Sequence, residues 1–172
     1  RSQIDVRSSD GDAGLFVSRD GGETWEAFQG SEGLRARIIH FGPLPSSRFY
    51  LGTLGQGLWR IGGDGKTFER AEAIYSDAEV YAIASSSAGN VLYVAIFQGG
   101  RGTLMRLEGE EARERYTVPL ANYGIFGVVV GARRISIASG DGGFLESRDD
   151  GKTWEVISRT PEGIVLIIPQ KQ

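Results

Sequence analysis

The chain has 172 residues, enough for one domain-sized core, with 40% hydrophobic and 24% charged residues, the balance of a folded globular chain. A net charge of −3 gives no basic field for nucleic acid or anionic lipid, and no segment reaches the roughly 20 apolar residues of a membrane span, so neither nucleic-acid binding nor membrane insertion is expected. The absence of Cys excludes disulfides, thiolate metal sites and Cys nucleophiles, and 26 Gly against 5 Pro point to many tight turns rather than disorder.

Short apolar runs rich in β-branched and aromatic residues follow one another along the chain, bounded by Gly, Ser, Asn or Pro. The first are "QIDVRS" (3–8), "GLFVS" (14–18) and, after the octapeptide "SRDGGETW" (18–25), "TWEAF" (24–28). Next come "RIIHF" (37–41), "RFYLGTL" (48–54), "GLWRI" (57–61) and "TFERA" (67–71). A third group holds "VYAIAS" (80–85), "VLYVAIF" (91–97), "GTLMRLE" (102–108) and "RERYTV" (113–118). The fourth holds "IFGVVV" (125–130), "RISIAS" (134–139), "GFLES" (143–147) and, after "SRDDGKTW" (147–154), "TWEVI" (153–157). A last run, "IVLIIP" (164–169), has the character of a first strand. No long segment keeps a 3.6-residue period, so no helix is expected.

The two octapeptides act as a ruler. Gly14 and Gly57 open matching segments 43 residues apart, and Gly143 lies three such steps from Gly14. The intervening copy begins at Gly102, keeping the strand pattern but not the octapeptide. Four short strands per unit at a period of about 40 to 50 residues mark a β-propeller blade. The expected fold is therefore all-β, one domain of four four-stranded antiparallel blades over residues 1–172. Blade 1 is 163–172 with 1–30, blade 2 is 36–72, blade 3 is 79–119 and blade 4 is 124–160. The C-terminal strand is expected to pair with the N-terminal strands and close the ring, removing a sheet edge. The chain begins with Arg and shows no signal-like segment, as expected of a processed precursor or an excised domain alike.

The octapeptide pattern S-x-D-x-G-x-T-W is complete at Ser18, Asp20, Gly22, Thr24 and Trp25, and again at Ser147, Asp149, Gly151, Thr153 and Trp154. A degraded copy ends in Gly65, Thr67 and Phe68. This pattern resembles the Asp-box of the BNR, or sialidase-like, repeat propellers, a group similar to the photosystem II assembly factor and sortilin-type propellers. The local reading agrees with an architectural role. The box falls between the third and fourth strands, where Ser and Asp side chains can accept from loop N–H groups and Gly permits a reversal. Trp offers apolar area between blades. The resemblance implies that the boxes lie at the blade periphery, away from the ligand face; it favours an extracytoplasmic compartment, which the residues themselves leave open.

Other candidate chemistry is thin. "GDGKTF" and "DDGKTW" lack the first Gly of a phosphate-binding loop, with Arg60 and Glu146 in its place. Asp10, Asp12 and Asp141 occupy turns between second and third strands and are candidate Ca²⁺ ligands, but each turn supplies few of the roughly six or more oxygens required. The same Asp-Gly pairs simply make hairpin turns, so no metal or cofactor is expected. His40, the single His, falls in an innermost strand and has no evident catalytic partner. The Arg-Ile-Pro motif of sialidases is absent, and no pair of carboxylates is placed by sequence, so no catalytic residue is assigned.

The loops opposite the boxes are the expected binding rim, with Asp12, Gln56, Tyr75, Arg101, Tyr123 and Asp141 as its candidate residues. Aromatic and Arg side chains there suit a protein or glycan ligand. The expected function is a non-catalytic binding or scaffold propeller. The alternatives are a carbohydrate-active domain and a half-propeller that pairs into an eight-bladed dimer; a closed monomer is favoured.

Overall fold

The computed structural model describes residues 3–7, 13–42, 49–61, 68–109 and 111–160. Asp10, Asp12, Gly65, Thr67 and the run 163–169 lie outside them.

Strands β1 (Gln3–Arg7), β2 (Gly14–Ser18) and β3 (Glu26–Ala27) form the first sheet. The second holds β4 (Ala36–Phe41), β5 (Phe49–Thr53), β6 (Leu58–Ile61) and β7 (Phe68–Arg70). The third holds β8 (Glu79–Ser85), β9 (Val91–Gln98), β10 (Arg101–Glu108) and β11 (Glu111–Tyr116). The fourth holds β12 (Ile125–Gly131), β13 (Arg134–Ser139), β14 (Gly143–Ser147) and β15 (Glu155–Arg159). Every sheet runs antiparallel in chain order, and the described residues contain no helix. Four antiparallel sheets in chain order match the expected all-β blades; β1 stands at the edge of the described sheet, and the expected first strand of that blade lies outside the described residues.

Three hydrophobic cores lie between consecutive blades. Leu15, Leu51 and Ile61 centre the first, between blades 1 and 2. Leu58, Val80, Val94 and Ile96 centre the second. Leu104, Ile125, Ile137 and Leu145 centre the third. Most of these side chains are under 2% exposed, so each blade face is stabilised by its neighbour rather than within its own sheet. The innermost strand β8 packs against both β4 and β12, which sets the blades around a common axis.

The recurring Gly that opens each third strand has a packing cause. The N–H groups of Gly57 and Gly102 donate to the carbonyls of Ala78 and Ala121, at 3.0 and 2.7 Å, in the linker to the next blade. A Cβ at either Gly would sit 2.8 Å from a linker carbonyl oxygen. Only Gly lets the linker pass so close. The period visible in the sequence is thus the period of blade docking.

Candidate functional site

The two edges of the blade stack differ. At one edge lie the loops between first and second strands and the octapeptide loops; at the other lie the linkers into each innermost strand and the turns between second and third strands.

The octapeptide loops are closed hydrogen-bond knots. In the first, Ser18 Oγ donates to Asp20 Oδ1 at 2.8 Å and accepts from Gly22 N–H at 2.7 Å. Asp20 Oδ1 also accepts the N–H groups of Glu23 and Thr24, and Oδ2 accepts Thr24 Oγ1. Trp25 Nε1 donates back to Gly22 O. The second loop repeats the core of this set. Ser147 bonds Asp149 and Gly151, and Asp149 takes both the N–H and the hydroxyl of Thr153. These donors, Thr153 and Thr24 foremost, hold Asp149 down at a pKa of about 2 and Asp20 lower still. Most of the accepting capacity of each carboxylate is thus spent within its own loop. Phe68, the last residue of the degraded copy, opens β7 and stacks on Trp59 at 5.0 Å between ring centroids.

The second loop carries one difference. Where the first has Gly21 at φ 85°, the second has Asp150 at φ 63°, a left-handed conformation uncommon for a side-chain-bearing residue. Its carboxylate accepts the Tyr93 hydroxyl and lies 3.4 Å from Arg106 Nε, both on blade 3. Burial, then this carboxylate, push the Tyr93 phenol up to about 12. Gly151 next to it lies on the ring of Tyr116. The loop therefore clasps blade 4 to blade 3. Trp154 packs on the core between these blades.

At the opposite edge, two of the candidate rim residues are spent on architecture. Gln56 Oε1 accepts Arg35 N–H at 2.7 Å and its Nε2 donates to Gly33 O, tying the β5–β6 turn to the linker into β4. Asp141 accepts both the backbone N–H and the side-chain amide of Asn122, tying the β13–β14 turn to the linker into β12. Gln98 donates to Asp77 in the same way in blade 3, a tie not visible in sequence. Tyr75 is exposed in the linker between blades 2 and 3, close to Arg115 of outer strand β11. Arg101 is exposed at the start of β10.

Tyr123, 70% exposed, belongs to a different group. Each described innermost strand skips one residue in its register near its start: Arg37 in β4, Tyr81 in β8 and Phe126 in β12. A bulge re-aims its residue out of the regular alternation. The three bulged side chains meet in a row across three blades. The Arg37 guanidinium lies 4.0 Å over the Tyr81 ring, and Tyr81 packs edge-on against Phe126 at 5.0 Å and against Phe97 at 5.9 Å. Glu79 accepts the Tyr81 hydroxyl at 2.8 Å. Gly140 separates Phe126 from Tyr123 so closely that its own Cβ would touch both. The result is a shelf of aromatic faces capped by one cation at the inner end of the blades. Sequence reasoning finds Tyr123 but not Arg37, Tyr81 or Phe126.

His40 lies at the far end of β4, half-buried, with Nε2 3.1 Å from Ser85 Oγ of the next innermost strand. Burial lowers its pKa, which keeps the ring neutral at pH 7. Among the described residues no group of three acidic or His side chains is placed to hold a metal ion.

The BNR/Asp-box repeat matches residues 16–27, on the first of these knots. The chain carries Asp-boxes on β-propeller blades. Solved structures share this fold. A GH74 enzyme of Niastella koreensis is 21% identical, with a TM-score of 0.68 over 84% of this chain and 26% of that one. YCF48 bound to D1 peptide is 19% identical, with a TM-score of 0.59 over 91% of this chain and 49% of that one. A nidogen/laminin complex gives 14% identity and a TM-score of 0.62 over 88% of this chain and 60% of that one. This chain of Asp-box blades therefore spans from a quarter to three fifths of these relatives in structure. No curated protein matches its sequence.

Proposed function

We propose that these Asp-box blades form a non-catalytic recognition domain that binds a protein partner at the edge opposite the boxes. The observation that carries this reading is the shelf of Arg37, Tyr81, Phe126 and exposed Tyr123. Aromatic and Arg side chains gathered on rigid elements are what interface hot spots use. The similar structures with D1 peptide and with laminin support a protein ligand, while the likeness to GH74 enzymes keeps a glycan as the alternative. The ring is proposed to close as a four-bladed monomer, since β1 leaves an edge that one further strand of this chain would cover.

Peptide and glycan arrays probed with the wild-type chain and a Tyr123→Ala/Arg37→Ala variant test the reading. Peptide binding lost in the variant is expected. Reproducible hydrolysis of a β-glucan panel, abolished at Glu79→Gln, would instead make the domain carbohydrate-active, as the likeness to GH74 enzymes allows. Light scattering distinguishes the closed monomer from an eight-bladed dimer of twice its mass.

A further inference from the structure

The Asp-box edge carries a cavity that the recognition shelf does not use. A cleft of about 440 Å³ opens between blades 3 and 4, within the size range of small-molecule pockets. Tyr93 and Arg106 of blade 3 line it, together with Arg133 from the β12–β13 turn, Arg134 at the start of β13 and Arg148 to Asp150 from the second Asp-box. Four Arg therefore face two Asp in a chain whose net charge is −3.

Two of the three anions at this cleft are paired with cations, and the third, Asp149, bonds only neutral donors and keeps its charge. Asp149 is closed within its own knot by Thr153 and Ser147. Asp150 holds Tyr93 and Arg106. Glu146, just behind, holds Arg134 at 3.1 Å and reaches Arg148 only at 4.0 Å. Arg148 is 74% exposed, and Arg133 has no carboxylate or hydrogen-bond partner among the described residues. Two planar forks thus stand over the same cleft without a close carboxylate partner, and Asp149 is the one lining carboxylate that no cation pairs among the described residues. Ser87 and Asn90, on the facing β8–β9 turn, add neutral donors.

We propose that this cleft binds the phosphate or sulfate group of a small ligand, gripped by Arg133 and Arg148. Guanidinium forks match the oxygens of a tetrahedral oxyanion in charge and in geometry. Arg106 and Arg134 stay with their carboxylates and supply background field. The site is independent of the recognition shelf, which lies at the other edge of the blades.

Titration with sodium phosphate and sodium sulfate at constant ionic strength, followed by calorimetry and by amide chemical shifts, tests this. Saturable one-site binding is expected, with shifts in 86–91 and 131–135. Arg133→Ala/Arg148→Ala, which removes exposed side chains only, should weaken it at least about tenfold. Arg101→Ala, at the other edge, should leave it unchanged. A non-saturating response equal in all three proteins overturns the site, as does equal weakening by Arg101→Ala. Acetate binding as tightly as phosphate overturns the tetrahedral preference.

Discussion

Asp149 stays charged well into acid because Thr153 and Ser147 donate to it only while the loop is folded. Its folded pKa, about 2, lies below the ordinary carboxylate value of 3.8. The stabilisation is therefore complete above that ordinary value and is lost as pH falls towards about 2. Asp20 acts in the same direction. Thermal melts between pH 7 and pH 2 should show the midpoint falling steeply below about pH 4, and Asp149→Asn should lower the melt at pH 7 while flattening that slope. Gly151 provides a second test at the same loop. Its φ of +93° disfavours any side chain, and a Cβ would stand 2.9 Å from the Tyr116 ring. Gly151→Ala should cost about 2 kcal/mol in urea unfolding, whereas Gly21→Ala, whose Cβ meets nothing within 4 Å, should cost less.

The turns between second and third strands show that a rim residue chosen by position can also carry an architectural bond. Gln56 and Asp141 are polar, half-buried and placed where a ligand could reach them, yet both are spent on the adjacent linker. Asp141→Ala should cost about 1 kcal/mol of stability and raise proteolysis of the 119–124 linker, with little change in partner binding. The strands themselves are legible because apolar runs broken by Gly and Asn leave few alternatives, and the octapeptide fixes their phase. The shelf is not legible, for a physical reason. Arg37, Tyr81 and Phe126 share no residue type, and bulges put them out of the period-2 pattern that assigns faces. Their spacings of 44 and 45 residues, close to the repeat, are the one trace they leave. Asp150 is similar: it differs from Gly21 by one side chain, and only the approach of blade 3 gives that side chain partners.

At the scale of the molecule, the three described cores lie between neighbours, and blades 2 and 3 each contribute to two of them, blade 3 to the two largest. Its strands β9 and β10 are also the longest and among the most buried. Blade 4, by contrast, ends in β15, exposed along its whole length. Such a stack behaves as a one-dimensional array in which each unit is held by the units beside it. Local opening is then easiest in the exposed outer strands and hardest where the strands are longest and most buried. Deuterium exchange should be slowest at Val94, Ala95 and Leu104, faster in β13 and β14, and fastest in β15. A uniform rate across the blades would mean that the whole stack opens as one unit. The placement of the cores carries a corollary for evolution: each is shared by two blades, so a substitution that reshapes one blade face selects for a matching change on the face it meets, and blade 3 is bound in this way to blades 2 and 4 at once.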